Sequence, residues 1–161
     1  MLHARPMLRW QWKAFAELTL DELYDVLALR QEVFVVEQRS IYQDVDGLDR
    51  ASEHLLGVEE ADGKPFVAAY LRVLPPDVKF PGASSIGRVV TSPRARGRGL
   101  GRELTGRGIS RVEERFPGVD IRISAQHYLL RFYESFGFQA EGDVYDEDGI
   151  PHIEMVRPGR R

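Results

Sequence analysis

The sequence contains no cysteine among its 161 residues. This absence excludes disulfide frameworks, thiolate nucleophiles, zinc sites with cysteine ligands and iron–sulfur clusters, and it is consistent with a reducing compartment. Apolar runs as long as the roughly 20 residues of a membrane-spanning helix are also lacking. Residues 1–10 contain arginines but no apolar segment of the kind found in signal peptides. We therefore expect an unprocessed, cytoplasmic protein with no membrane partner.

The sequence also lacks an excess of basic over acidic residues. The chain has 22 basic and 25 acidic residues and a formal net charge of -3. A molecule with this balance does not attract nucleic acid or anionic lipid as a whole, so any anion site must be local. The hydrophobic content of 43% is that of a globular protein. The length predicts a single domain that spans residues 1–161.

The hydrophobic pattern predicts strands and helices in a mixed order. Leu8, Trp10 and Trp12 alternate with polar residues, as in a strand with one buried face. Thr19 and Glu22 have the spacing of a capping box and predict the start of a helix that continues to Phe34. The other predicted strands span 54–60, 66–74, 85–91, 119–124, 138–145 and 150–156, with helices from Leu100 to near Pro117 and over 128–136. A long polar loop, of a length that is typical of functional loops, is predicted over 38–52.

This order predicts an α+β fold with a mixed sheet. The strand pairs around Asp62–Gly63 and Asp148–Gly149 are predicted to be antiparallel hairpins. The strand, helix, strand segment from Ser85 to Ser124 predicts one right-handed parallel crossover. Helices are expected to pack on this sheet.

A turn rich in glycine and arginine lies between the fourth predicted strand and the helix that follows it. It contains Gly97, Gly99 and Gly101, with arginines between and around them. Unpaired backbone N–H groups at a helix start, reached closely through glycines, can bind a phosphate. A P-loop is disfavoured because Gly101 precedes Arg102 rather than a lysine. A dinucleotide fold, a nucleic-acid patch without stacking aromatics and a solvated turn are the other interpretations.

The turn also resembles the signature of a known family. Arg96 to Gly101 matches the R/Q-x-x-G-x-G/A signature of the GNAT acyl-CoA N-acyltransferases, and Tyr133 to Phe138 matches the Y-x-x-x-G-F pattern of that family. Segments 30–38, 42–49, 86–90 and 147–155 resemble the ElaA-like branch, so the resemblance covers nearly the whole chain.

The resemblance implies a mostly antiparallel sheet with helices on both faces and a splayed parallel strand pair that receives acetyl-CoA. The residues that it implies for binding this cosubstrate are Val89, Val90, Thr91, Arg96, Gly97, Arg98, Gly99, Leu100, Gly101, Arg102 and Gln126. It implies backbone contacts from the strand and a pyrophosphate site at the turn. No metal is expected.

The same resemblance implies the positions of the reacting groups. Tyr133 is expected to act on the thiolate that leaves when an amine attacks the thioester, since a phenol can donate a hydrogen bond or a proton to it. Glu37 is selected, from several acids, as the base that deprotonates the amine. The residues expected on the acceptor side are Arg30, Glu32, Asp46, Asp49, His54 and His152, whose acids would form an electronegative mouth for a cationic amine. Arg30 interrupts an apolar helix face, so it is either buried against one of these carboxylates or lines the groove, and the structural ion pair is the favoured role.

The leading functional hypothesis is an N-acetyltransferase that moves an acetyl group directly from acetyl-CoA to a primary amine in a ternary complex. An acyl-homoserine lactone synthase is the alternative within the fold. A non-catalytic acyl-CoA sensor is the alternative from another class. The amine could belong to a small molecule or a protein, and no nucleic acid is expected. The oligomeric state stays open, with a homodimer among the alternatives.

Overall fold

The strands and helices follow the apolar pattern of the chain closely in the computed structural model, which describes residues 7–160. The strands of this part are β1 (Arg9–Ala14), β2 (Glu53–Ala61), β3 (Lys64–Leu74), β4 (Ala83–Thr91), β5 (Asp120–Gln126), β6 (Gln139–Glu147) and β7 (Ile150–Arg157). The helices are α1 (Leu20–Arg30), α2 (Leu100–Arg115) and α3 (Leu130–Glu134). No described helix is long and apolar enough to cross a membrane. Residues 1–6 and 161 of the predicted domain lie outside the described residues.

The strands form one sheet in the order β1-β2-β3-β4-β5-β7-β6. All neighbours are antiparallel except β4 and β5, which are parallel. The predicted mixed fold with two hairpins and one parallel crossover is therefore confirmed. The crossover is α2, which connects the end of β4 to the start of β5.

Helix α1 covers one face of the sheet. The predicted capping box is present, with Thr19 Oγ1 accepting from the Glu22 amide at 3.1 Å and Glu22 Oε1 accepting from the Thr19 amide at 2.9 Å. Val26 and Leu29 then pack against Tyr70 in the middle of β3. The helix was expected to run to Phe34, but the α-helix ends at Arg30 and continues as a π-helical turn over Gln31–Glu37. A π-helical turn is wider than an α-helix and is frequent beside functional sites.

Helices α2 and α3 cover the opposite face. Leu104 and Val112 of α2 pack in a cluster with Leu71, the neighbour of Tyr70 in β3, because successive side chains of a strand point to opposite faces. Gly108 lies where α2 touches the sheet, and a Cβ atom there would be 2.9 Å from Leu71 Cδ2. The helix expected over 128–136 is shorter, since its first turn, His127–Leu129, is a 3₁₀ turn before α3 begins.

Candidate functional site

A gap opens in the sheet between the two parallel strands. β4 and β5 pair only at Ala83 with Asp120 and at Ser84 with Ile121. Beyond these pairs the strands separate, so the edge of β4 that faces β5 has no strand partner among the described residues. A cavity of about 610 Å³ occupies the gap, and both separated strands line it. An unpaired strand edge beside a cavity can bind an extended ligand through backbone hydrogen bonds.

A bulge in β4 lies within this gap. Tyr70 pairs with Val90 and Arg72 pairs with Gly87, so Arg88 and Val89 together oppose the single residue Leu71. Arg88 has a φ of 51°, in the left-handed region that is uncommon for residues other than glycine. A bulge bends its strand and disrupts the ladder locally. The bulge therefore leaves the backbone of β4 irregular where it lines the cavity.

The turn rich in glycine and arginine lies between the open end of β4 and α2. Gly97 and Gly99 have φ values of 81° and 73°, and Gly99 is the N-cap of α2 without a side-chain cap. A Cβ atom on either of them or on Gly101 would meet no other atom within 4 Å. The space beside these three glycines is thus open at the start of the helix, where the first N–H groups have no intrahelical partner and, with the helix dipole, favour an anion.

The arginines of this turn are largely occupied by other side chains. Arg98 donates to Glu59 and to the carbonyl oxygen of Ala95, and Arg96 Nη2 lies 2.7 Å from Glu37 Oε1. Arg102 stacks over the ring of Phe136, with 4.8 Å between its Cζ atom and the ring centroid. These contacts hold the turn in place. The backbone N–H groups at the start of α2 take no part in these side-chain contacts.

Tyr133 lies on the wall of the cavity. Its ring is 9% exposed and packs edge-on against Phe132 and Phe138. Burial, with a smaller contribution from Tyr128, raises the pKa of Tyr133 to about 12. The phenol is therefore protonated at neutral pH and can donate a hydrogen bond into the cavity.

Other residues selected from the sequence also lie on the cavity wall. They are Glu37, Val89, Val90, Thr91, Arg96, Gln126, Asp46 and His152. Gln126 donates to Gln38 Oε1 at 3.1 Å and so links β5 to the chain that follows α1. His152 Nε2 lies 3.1 Å from Glu147 Oε2 across the β6–β7 hairpin. The remaining turn residues, 97–102, are at the end of the gap rather than on the cavity wall.

Arg30 and Asp49 lie away from the cavity wall, which corrects the acceptor-side position expected of Asp49 and decides between the two roles of Arg30. Both are buried in an arginine–aspartate cluster, which consists of Arg30, Arg72, Arg88, Asp44, Asp46 and Asp49. Arg30 Nε lies 2.8 Å from Asp44 Oδ2, and Arg30 Nη1 lies 2.7 Å from Asp49 Oδ1. A buried charge is stable only when a group of opposite charge is close to it. Arg30 and Asp49 satisfy this requirement for each other in the core. The structural ion pair favoured for Arg30 from the sequence is present in the structure.

His54 and Glu32 also lie away from the cavity wall. His54 is 1% exposed, and its ring nitrogens are bonded to the Tyr70 hydroxyl at 2.6 Å and to the Asp49 carbonyl at 2.9 Å. Burial lowers the pKa of His54, and the nearby Arg30 and Arg72 act in the same direction. Glu32 is exposed on the π-helical turn. The expected place of these two residues on the acceptor side is therefore corrected.

The arginine–aspartate cluster ties the loop 38–52 to β3 and β4. Arg72 Nη1 lies 2.8 Å from both Asp46 Oδ1 and Asp49 Oδ1, and Arg88 Nε lies 2.8 Å from Asp44 Oδ1. Burial opposes the ionisation of Asp46 and Asp49, but hydrogen bonds and charges from the arginines outweigh it and lower the pKa of both carboxyl groups. In residues 7–160, no three His, Asp or Glu side chains are arranged to hold a metal ion.

Three cationic residues were not predicted from the sequence: Arg88 and Lys79, which line the cavity, and Arg72, which is buried in the arginine–aspartate cluster. Arg72 stands within the apolar run of β3, and that position is a signal for a buried ion pair. Arg88 carries no comparable signal, because its place depends on the bulge. Lys79 lies in the polar connection between β3 and β4, and only the folded chain brings it to the cavity.

Comparisons with known proteins agree with this architecture. Residues 32–157 match the acetyltransferase (GNAT) domain family. A UPF0039 protein of Synechocystis sp. is 42% identical over 92% of this chain and 94% of its own length. Protein ElaA of Escherichia coli is 39% identical over 94% of this chain and 97% of its own length.

Solved structures give the same result. The crystal structure of Escherichia coli ElaA has a TM-score of 0.83 at 38% identity, covering 94% of this chain and 99% of that chain. The structure of an acyl-CoA N-acyltransferase from Pseudomonas aeruginosa has a TM-score of 0.86 at 47% identity, with coverage of 94% and 99%. Sequence and structure together therefore show that the chain belongs to the GNAT acetyltransferase family, on the branch that contains ElaA and the UPF0039 proteins.

Proposed function

We propose that the protein is an acetyl-CoA-dependent N-acetyltransferase that transfers the acetyl group directly to a primary amine in a ternary complex. The observation that carries this proposal is the gap between β4 and β5 with the exposed start of α2 at its end. Such a gap accommodates a long thin ligand that has an anionic end. The membership of the GNAT family makes an acyl-CoA the best candidate for that ligand.

The donor would lie along the unpaired edge of β4. Its pantetheine arm, which contains two amides, would bond to backbone groups of Val89 and Thr91, as a strand would. Its pyrophosphate would lie at the turn formed by residues 96–102, where helix N–H groups are available. The thioester would then lie in the cavity, whose wall includes Tyr133 and the bulge of β4.

The proposed reaction begins with a neutral amine, because an ammonium has no lone pair. The amine nitrogen bonds to the acyl carbon, the bond from that carbon to sulfur breaks, and the thiolate leaves. Tyr133 donates a hydrogen bond to the sulfur. Full proton transfer from this phenol would be uphill, because its pKa of about 12 exceeds the value of about 8.5 for an ordinary thiol.

Glu37 is the proposed base for the amine proton. Its carboxylate lies on the cavity wall, and its half-exposed position allows the proton to pass to water. The ion pair with Arg96 fixes the carboxylate beside the donor turn. His152, whose Nε2 atom lies 3.1 Å from Glu147 Oε2, is the competing base on the opposite wall. Loss of turnover in Glu37→Gln, with retention in His152→Gln, would support Glu37.

The donor site can be tested with a charge placed at the start of α2. Gly101→Asp introduces a carboxylate in the first helical turn, where it stabilises the helix but repels a pyrophosphate. We expect coenzyme A to bind the wild type and to bind Gly101→Asp at least about tenfold more weakly in calorimetric titration, a difference of about 1.4 kcal/mol. Gly101→Ala is the matched control and should bind like the wild type.

Two results would contradict the proposal. A wild-type protein that does not bind coenzyme A at millimolar concentration has no donor site. Equal affinity in the Asp and Ala variants would show that the pyrophosphate does not lie at this turn.

A further inference from the structure

The acceptor end of the cavity is less negative than its acidic residues suggest. We define this end by Asp46, Lys79, Arg88, Glu147 and His152, which all line the cavity. Asp46 directs both carboxylate oxygens to arginines, since Oδ1 and Oδ2 bond to Arg72 and Oδ2 lies 3.3 Å from Arg88 Nη2. Its charge is therefore compensated within the protein and is not free to attract a cationic substrate.

The other carboxylates of the wall are also engaged, with one exception. Glu147 Oε2 lies 3.1 Å from His152 Nε2 and accepts from the Ser124 hydroxyl at 3.4 Å. Glu37 is paired with Arg96, as described above. The exception is Asp148, which is exposed in the turn between β6 and β7.

Lys79, in contrast to these carboxylates, has no ion-pair partner among the described residues. It extends from the connection between β3 and β4, and its Nζ atom lies 5.4 Å from the centre of the Phe80 ring. Within the described part of the chain, it has no carboxylate oxygen within 4.0 Å. Desolvation lowers the pKa of Lys79; among the nearby charges, Glu147 has the largest effect and raises it, whereas Arg88 and Arg72 lower it. Lys79 thus presents on the cavity wall an ammonium group that has no ion-pair partner in the described part of the chain, and such a group can bind an anion.

We propose that Lys79 forms a carboxylate subsite, and that the acceptor is an amine that also carries a carboxylate, as a free amino acid does. This inference rests on the proposed acetyl transfer. The acceptor carboxylate would accept a charge-assisted hydrogen bond from Lys79 Nζ while its amine faces the thioester. The amine nitrogen bonds to the acetyl carbon as the carbon–sulfur bond breaks, and the amine proton and the thiolate yield the free thiol. A polyamine would place a second cation against Lys79 and is disfavoured.

The experiment compares each acid with its own amide. Glycine, β-alanine and 4-aminobutyrate are assayed with acetyl-CoA against glycinamide, β-alaninamide and 4-aminobutanamide, for the wild type, Lys79→Met and Lys79→Arg. Lys64→Met is the control, because Lys64 is exposed at the start of β3 and does not line the cavity. We expect Lys79→Met to lower kcat/KM about tenfold or more for at least one acid, with little change for its amide. Lys79→Arg should retain most of the preference.

Each outcome decides the inference. A wild-type protein that acetylates only the amides, or a Lys79→Met protein that treats acid and amide as the wild type does, overturns it. If no member of the panel is acetylated, binding of the three acids to the protein loaded with coenzyme A is measured by calorimetry. Binding that is absent from the amides and lost in Lys79→Met supports the subsite, and any other result overturns it. Failure to bind coenzyme A at all is distinguishable, since that result removes the proposed function itself.

Discussion

At the scale of single residues, the site depends on side chains whose protonation is set by burial. Tyr133 is held between two phenylalanines, and its hydroxyl has no hydrogen-bond partner among the described residues. A polar group that is left without a protein partner beside a cavity is available to a ligand. This availability fits a group that acts on the leaving thiolate.

Replacement of Tyr133 should separate binding from turnover. We expect Tyr133→Phe to lower kcat on the order of 100-fold, a typical effect for the loss of a general acid or hydrogen-bond donor. Coenzyme A affinity should stay close to that of the wild type, because the ring and its packing are retained. Stopped assays of thiol release and calorimetric titration measure the two quantities. Tyr128→Phe, which alters an exposed tyrosine on the same wall, is the control. Equal kcat in all three proteins would remove the assigned role.

At the scale of the element, α2 has an open first turn and a closely packed middle. Its first turn is open at Gly99 and Gly101, whereas Gly108 allows the helix to approach β3 closely. The open end is predicted by the glycine spacing. The close approach could not be predicted in this way, because nothing in the sequence around Gly108 specifies the leucine that it meets.

The two middle glycines of α2 offer a matched comparison. Gly106→Ala gains about 0.5–1 kcal/mol in the free energy of unfolding, because alanine is the better helix former and the added Cβ would lie 4.0 Å from the nearest atom, Phe136 Cε1. Gly108→Ala has the same intrinsic gain but forces the added Cβ against Leu71, at a cost of about 1–3 kcal/mol. We expect Gly106→Ala to raise stability and Gly108→Ala to lower it in urea unfolding. Equal stabilisation by both would mean that α2 lies further from the sheet.

At the scale of the whole molecule, buried titratable groups link stability to pH. The folded-state pKa of His54 is lowered by burial, so below its ordinary value of about 6.5 the unfolded chain binds a proton that the folded chain resists. The pKa values of Asp46 and Asp49 are lowered by their arginines, so the stability that these pairs contribute is present above about pH 4 and is lost below it.

Acidification should therefore lower stability in two steps. We expect the free energy of unfolding to fall first as the pH decreases from about 6.5, and again below about pH 4. His54→Gln should reduce the pH dependence of the first step, whereas His127→Gln, at an exposed position, should not. Urea unfolding at a series of pH values measures both. An unchanged slope in His54→Gln would show that another group titrates there.

The sequence predicted the order of the elements, the capping box and the turn before α2, because each of these depends on residues that are close together along the chain. It did not separate the charged residues of the cavity wall from those that are buried in the arginine–aspartate cluster. Arg30 and Asp49 are 19 residues apart, and Arg72 and Asp49 are 23 apart. Their burial follows from the way in which the loop 38–52 folds over β3. The sequence identifies the charged residues, but their pairing depends on contacts between segments that are distant along the chain.

Because only two residue pairs join β4 to β5, a bound donor would also affect how the two parts of the sheet are held together. Four strands on one side and three on the other are bridged by the backbone at one short seam. A donor bound in the gap would form backbone hydrogen bonds that are absent between β4 and β5, and it would contact both parts of the sheet. The cosubstrate would then take the place of a strand in the sheet while it is bound, and this interaction would form and be lost in each turnover.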